Sequence, residues 1–347
     1  MTVLVKGAGV AGLATALELG RRGFAVEVVE RRADIGLGAS HWAGGMLAPY
    51  CEREAAVEIV LTSGLFAADW WDEAVPGLVQ RRGTLVLANP RDLADLKRFA
   101  SRTRGHRWVG GDEIAELEPD LAGRFGTGLF FSEEAHLDPR QALRGLYQAA
   151  RQLGVSFRFG EEAGDAGNYA SVVDCRGPQA IGEIEGLRGV RGEIFLLHAP
   201  DVDLRRPLRL MHPRHSVYVV PRPDRHFVVG ASEIESEDRS PVSLRTTLEL
   251  LSAAHSALPG LVEARVIHTE SNLRPALPDN LPVLTTGAGC TRINGLYRHG
   301  FMIAPAMLDV TLEVLNAGQS QLSQRFDLAL DLEPAPLPPP SAAAAFA

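Results

Sequence analysis

A run of β-branched and aliphatic residues, TVLVK at 2–6, opens the chain and reads as a buried strand. Apolar positions then recur at Val10, Leu13, Ala14 and Leu17, the spacing of one helix face, and Gly23 reads as the end of that helix. AVEVVE at 25–30 is a second strand, so the chain starts as a βαβ unit. Helical periodicity returns over 55–71, a strand pattern over 83–88, and helical pattern over 92–101 and 112–118. Asp138 stands as the N-cap of a helix over 139–153, followed by strands at 155–159 and 171–175. From 190 to 230 strand pattern dominates, and 217–220 and 226–229 flank a short turn as a hairpin. A helix over 244–258, a strand over 262–269 and a last helix over 301–316 complete the order, with Pro305 expected in the first turn of that helix. This order predicts an α/β fold: a discontinuous Rossmann-like dinucleotide-binding domain interrupted by an α+β domain with an antiparallel sheet. The Pro/Ala-rich LEPAPLPPPSAAAAFA after Asp331 reads as a loose extension.

Composition narrows the classes. The 347 residues allow about two domains at roughly 150 residues each. With 46% hydrophobic and 22% charged residues the chain is an ordinary globular one, which excludes wholesale disorder. A net charge of −8 without basic runs argues against nucleic acid and anionic membranes as partners. Cys51, Cys175 and Cys290 have no CxxC spacing, so neither a disulfide framework nor a structural zinc site is expected. No run of about 18 uncharged apolar residues predicts a transmembrane helix. The opening MTVLVKGAG carries no basic stretch and no cleavage site, so a cytoplasmic enzyme is the expectation.

Two glycine-rich stretches carry candidate chemistry. In Gly7-Ala8-Gly9-Val10-Ala11-Gly12, Gly7 permits a tight turn, Gly9 lets backbone approach a pyrophosphate, and Gly12 lets the helix sit against the strand. The pyrophosphate would meet the positive end of the helix dipole. Glu30, 18 residues after Gly12, ends the next strand and offers a carboxylate to both ribose hydroxyls. FAD and NAD share this ADP moiety, so the motif alone leaves both open. The second stretch, GLGASHWAGGMLAP at 36–49, falls where a nicotinamide enzyme continues into another helix. Bare backbone there could lie against a planar ring, and Ser40 could bond a phosphate.

The stretch GASHWAGGMLAP is similar to the flavin-contacting loop of the D-amino-acid oxidase superfamily of flavoproteins, and most closely of the glycine oxidases of thiamine biosynthesis. SVVDCRG at 171–177, VYVVPR at 217–222, VVGAS at 228–232, NLRP at 272–275, PDNLP at 278–282 and RHGFMIAP at 298–305 continue the resemblance over nearly the whole chain. It implies an FAD-binding domain over 1–80, 135–185 and 265–331, a substrate domain over 81–134 and 186–264, and a tail over 332–347. It implies non-covalent FAD held by Gly7, Gly9, Ala11, Gly12, Glu30 and Arg31. Ala39, Ser40, Gly44, Gly45 and Met46 of the loop, Ala163 and Gly177 would join them. Arg298, His299, Gly300, Phe301 and Met302 would complete the cofactor set, with the helix after Gly300 aimed at the flavin pyrimidine edge.

The implied activity is oxidation of a small amino acid, glycine or a related D- or N-alkyl amino acid, by hydride transfer to flavin, giving imine or oxo acid, ammonia and hydrogen peroxide. Arg274, Arg298 and Tyr218 match the residues that hold the substrate carboxylate, and Met46 shapes the pocket. Arg274 precedes a proline, which confines it to extended backbone and favours a rigid two-pronged donor. No clear side-chain base stands in the motifs, consistent with a substrate that arrives as the neutral amine. Glu233 stands where those enzymes tend to place a Met, and as a pocket carboxylate it would favour a polar or cationic substrate. Glu270 replaces an aromatic residue, and the stretch 160–170 is shorter than usual. Molecular oxygen or another electron acceptor would reoxidise the flavin, and a homo-oligomer is compatible with the chain. The alternatives are an FAD dehydrogenase of larger or cyclic amino acids using a non-oxygen acceptor, and a nicotinamide enzyme in which Glu30 serves NAD.

Overall fold

The structure, a computed structural model, describes residues 2–53, 58–164, 166–211, 217–287, 289–325, 328 and 330–332. The expected tail beyond Leu332 and residues 55–57 of the expected 55–71 helix lie outside the described residues. In chain order the first elements are β1 (Thr2–Lys6), α1 (Val10–Arg21), β2 (Ala25–Glu30), β3 (Met46–Leu47), α2 (Pro49–Glu52), α3 (Glu58–Gly64), α4 (Ala67–Ala74) and β4 (Thr84–Ala88). Next come α5 (Leu93–Arg102), β5 (Arg107–Gly110), α6 (Gly111–Leu117), β6 (Thr127–Phe131), β7 (Ala135–His136), α7 (Pro139–Gln152), β8 (Ser156–Phe159) and β9 (Ser171–Asp174). Then follow β10 (Arg188–His198), β11 (Leu208–Met211), β12 (Val217–Arg222), β13 (His226–Gly230), α8 (Leu244–Ala257), β14 (Arg265–Ala276), β15 (Val283–Gly287), β16 (Cys290–Asn294), α9 (Gly300–Ala317), α10 (Leu322–Arg325) and β17 (Leu330–Leu332).

The elements form two main sheets. A seven-stranded one, in the order β17-β15-β16-β9-β1-β2-β8, is parallel throughout except for the β15–β16 hairpin. β1 lies inside it with Val3, Leu4 and Val5 all buried, the continuous apolar run that a strand covered on both faces requires. Helices α1, α7 and α9 pack on this sheet, and the side chains of Asp138 and Ser243 cap α7 and α8 as the sequence suggests for Asp138. The second sheet has eight strands, in the order β14-β10-β13-β12-β11-β4-β6-β5, antiparallel except for the β11–β4 pair. Phe195, Leu197, Val217, Val219, Phe227 and Val229 alternate onto one face of it and bury against Leu250, Ala253, Ala254 and Ala257 of α8. The opposite face is turned to the cavity described below.

Three expectations are corrected. The periodic stretch 55–71 is not one helix: α3 ends at Gly64, which sits so close to Met302 that a Cβ would lie 2.8 Å from its Cγ. The chain restarts as α4 to bury Ala67, Trp71 and Ala74 on one face. The strand expected over 262–269 starts at Arg265 and runs to Ala276, and it pairs with β10. Residues 265–276 therefore belong to the eight-stranded sheet, not with the strands of the dinucleotide-binding part, because cross-strand partners that sequence spacing does not reveal claim their backbone. Pro305 is the sixth residue of α9, not in its first turn.

Pro305 has no N–H to give the Phe301 carbonyl four residues earlier. The Trp71 indole N–H donates to that carbonyl instead, at 2.8 Å, and the Trp71 ring stacks on Phe301 with centroids 5.5 Å apart. Helix α9 has the length and hydropathy of a membrane span, yet its apolar side chains are buried against α1, α3 and α4, which makes it the core helix of this fold. Replacing Trp71 by Phe is expected to lower the unfolding free energy by about 1–3 kcal/mol, because a buried carbonyl loses its partner. The check is the urea midpoint at unchanged slope; a wild-type midpoint would show that the carbonyl is satisfied without the indole.

Candidate active site

Between the two sheets lies a cavity of about 670 Å³. One end is built from the β1–α1 turn. Gly7 has φ +97°, a left-handed conformation that only glycine adopts without strain, and a Cβ on Gly12 would lie 1.9 Å from the Gly7 carbonyl oxygen. The turn thus requires both glycines. Helix α1 carries no side-chain cap, and Gly9, Val10 and Ala11 at its N-terminus line the cavity. Ser40 accepts a hydrogen bond from the Val10 N–H at 3.1 Å, which leaves its own hydroxyl proton for a ligand. Glu30 is buried, accepts from the Ala8 N–H at 2.9 Å and the Arg32 N–H at 3.0 Å, and also lines the cavity. Helix α9 likewise starts without a side-chain cap, and Gly300, Phe301 and Met302 of its first turn open on the same space. Two helix N-termini that take no cap from their own N-cap residues, and an oriented carboxylate, around one cavity fit the pyrophosphate and ribose of a dinucleotide.

The other end is the open face of the eight-stranded sheet. Its register sets Tyr218 beside Gly230, Ile194 opposite Glu270, and Gly192 opposite Asn272, and a Cβ on Gly230 would lie 2.9 Å from Ile194 Cγ2. Because side chains alternate along a strand, Arg274 shares this face with Asn272 and Glu270. Its guanidinium lies across Gly192, where a Cβ would come within 2.4 Å of Cζ. Nη1 donates to the Ser232 carbonyl at 3.0 Å and to the Arg191 carbonyl at 3.5 Å, and among the described residues Arg274 pairs with no carboxylate. Its Nε and Nη2 edge is left for a ligand. Tyr218 is pushed above the usual phenol range by burial, so its hydroxyl is a neutral donor there.

Arg298 differs from Arg274. Its Nη2 pairs with Glu52 at 2.8 Å and its Nη1 with Glu233 at 3.0 Å. Burial pushes the Glu52 carboxyl up, but the neighbouring cations, Arg298 first and then Arg209, outweigh it and hold the group at about 2. His299 lies 3.7 Å from Glu52, and burial lowers it to about 4, so it is neutral at pH 7. Near Glu52, Glu134 is fully buried and receives the Cys51 N–H at 2.7 Å. Desolvation pushes that carboxyl up to about 7. Neighbouring carboxyl groups are thus shifted in opposite directions, the lowered one beside the arginine.

Most residues singled out in the sequence meet here. Gly7, Gly9, Ala11, Glu30, Ala39, Ser40, Gly44, Gly45, Met46 and Gly177 line the cavity, as do Tyr218, Glu233, Arg274 and Arg298 through Met302. Gly12 packs behind them. Arg31 and Ala163 line a smaller hollow beside Lys6 and Val29 instead. Cys290 does not line the cavity, and neither does His41. Glu52 and Gly192 stand outside the motif argument, and Asn272 and Arg222 fall inside quoted stretches without a role assigned to them there. Arg222, lowered to about 10 by burial, donates to the Gly44 carbonyl at 2.7 Å and so fixes the glycine-rich loop against β12. That loop is also pinned by Trp42, which stacks on His268 at 4.2 Å with the Arg140 guanidinium 4.0 Å over its ring. A carboxylate adjoining the loop, as Glu52 does, was the available signal for that residue.

Fold and cavity together define a dinucleotide-binding oxidoreductase. The family described as "DAO: FAD dependent oxidoreductase" matches residues 2–311, and this chain belongs to it; its cofactor is FAD. ThiO of Rhizobium etli, named as a thiamine biosynthesis oxidoreductase, is 51% identical over 325 residues, covering 94% of this chain and 99% of the relative. The fold is that of glycine oxidase from Geobacillus kaustophilus, with TM-score 0.76, 23% identity and coverage of 90% of this chain and 93% of the other. It is equally that of iminodiacetate oxidase from Chelativorans sp. BNC1, with TM-score 0.78, 24% identity and coverage of 95% and 100%.

The raised Glu134 pKa has a stability consequence. Between about 4.5 and about 7 the folded state binds a proton that the unfolded state releases, so this contribution is full below 4.5 and lost as pH rises through 7. Glu134→Gln removes the titration. Its melting temperature relative to wild type is expected to rise between pH 5 and pH 8, and a difference independent of pH would place the Glu134 pKa in the ordinary range.

Proposed function

We propose that this chain oxidises the Cα–N bond of a small amino acid, with glycine the first substrate, in the manner of the glycine oxidases. The observation that carries the reading is Arg274: an arginine without a carboxylate partner, facing a cavity beside the neutral hydroxyl of Tyr218 and the cofactor loop. A guanidinium edge and a phenol O–H are complementary to one carboxylate. Holding it there fixes Cα over the Gly44–Met46 side of the cavity. FAD, when bound, supplies the two-electron acceptor. Gly7, Gly9, Ala11, Ser40 and Glu30 are the residues assigned to its pyrophosphate and ribose. The uncapped α9 terminus, from Gly300 to Met302, presents positive potential where reduction places negative charge.

The chain needs no proton acceptor if the amine binds neutral. His299, neutral at pH 7 and 3.7 Å from Glu52, is assigned to packing beside the Glu52–Arg298 pair rather than to acid–base work. With oxygen as acceptor, glycine, O2 and water give glyoxylate, ammonia and hydrogen peroxide. In this reading the seven-stranded part binds the cofactor and the eight-stranded part the substrate, the enzyme acts in the cytoplasm, and self-association is compatible with it.

Anaerobic mixing of the yellow protein with glycine is expected to bleach the flavin, and air to restore it with peroxide. Bleaching without rapid restoration would identify a dehydrogenase, and no bleaching by any amino acid would end this reading. Arg274→Ala is expected to keep bound flavin and lose about 100-fold or more in kcat/KM, the scale of breaking a desolvated charge pair. Gly192→Ala places a methyl where the Arg274 guanidinium lies and is expected to raise KM more than it lowers kcat. Wild-type kinetics in either variant would remove Arg274 from the carboxylate site.

A further inference from the structure

Arg298 is compensated twice. Glu52 alone neutralises it, at 2.8 Å and nearly out of solvent, with a side chain only 21% exposed. Glu233, on the segment after β13, adds a second carboxylate at 3.0 Å and is 48% exposed. A solvated pair of this kind contributes little to stability, and it leaves the Glu52–Arg298–Glu233 trio with a net negative charge on the cavity wall. Arg274 stands on the same wall with no carboxylate at all. The two arginine-bearing segments are joined, since the Tyr297 N–H donates to the Pro275 carbonyl at 2.9 Å. The cavity therefore holds two guanidinium forks, one open and one filled by the protein's own carboxylate.

We propose that Glu233 is a specificity-determining residue that occupies the Arg298 fork in place of a second substrate carboxylate. It confines the site to amino acids with a single carboxylate and rejects dicarboxylates such as N-(carboxymethyl)glycine. The filter works by repulsion: a second carboxylate near Arg298 meets a wall that is already anionic and a fork whose Nη1 is taken. With a neutral amide at position 233 the wall becomes neutral and its carbonyl is a weaker, displaceable acceptor for that N–H, and truncation at 233 frees the N–H outright. This deepens the amino-acid reading above and rests on it for the substrate class.

The test compares holoprotein and its Glu233→Gln variant by titrating acetate and malonate against the visible flavin spectrum, which reads binding without turnover. In wild type acetate is expected to perturb the spectrum at concentrations where malonate does not. In Glu233→Gln the malonate-to-acetate affinity ratio is expected to rise at least about tenfold, the worth of one hydrogen bond to a charged group, and kcat/KM for N-(carboxymethyl)glycine to rise relative to glycine. Glu233→Ala is expected to shift the ratio the same way, whereas Glu235→Gln, which removes the partner of Arg188, is expected to leave it unchanged. An unchanged or lower ratio in both Glu233 variants would overturn the proposal, as would spectra insensitive to both anions. If the ratio shifts but no amino acid bleaches the flavin, the fork assignment stands and the proposed reaction is the part that fails.

Discussion

The pairing of β10 with β14 is the constraint on which the site depends. It runs in antiparallel register from Arg188 opposite Ala276 to His198 opposite Arg265. A strand alternates its side chains, so this register alone brings Gly192, Ile194, Glu270, Asn272 and Arg274 to one face. A slip by one residue would turn Arg274 away from the cavity and present Leu273 in its place. The same pairing gives Arg274 its bed, because the residue beneath its guanidinium is a glycine. It also positions the start of α9, through the bond from the Tyr297 N–H to the Pro275 carbonyl. One ladder thereby couples the arginine-bearing face to the helix end that opens on the same cavity.

Charge within the cavity is arranged by position. Positive potential comes from backbone at the N-termini of α1 and α9, both of which open on the cavity. Side-chain cations stand further along, and their availability differs: Arg274 is open, Arg298 is held from two sides, and Arg222 is spent on the Gly44 carbonyl. Burial decides the protonation of the acids behind them. Glu52 stays ionised because the guanidinium groups of Arg298 and Arg209 stand beside it, while Glu134, with no cation so close, is pushed up to about 7. A cavity in which each cation has a different load can bind one anion strongly at one place, which is what orientation of a small substrate demands.

Glycine turns, the β1–α1–β2 start, the acidic end of β2 and the cap of α7 were legible in the sequence because each is a local signal. The turn geometry, helix period and N-cap bond all lie within a few residues of one another. The open arginine was legible too, through the proline that follows it and the family pattern around it. Glu52 was not, since α2 is four residues long and shows no periodicity. Nor was the division of 55–71 into two helices, which follows from close packing of Gly64 on Met302.

Local sequence alone established the glycine turn after β1, the class of fold and the candidate residues of the cavity. Tertiary structure decided which candidates are free to act. The partner of Glu233 lies 65 residues away at Arg298, and the bond that lets α9 carry Pro305 comes from Trp71, 230 residues before Phe301. Propensity and spacing act over a turn or two of chain, whereas the neutralisation of a buried charge and the satisfaction of an orphaned carbonyl depend on whatever the fold brings within about 3 Å. That distance is set by packing between elements, and no local pattern encodes it.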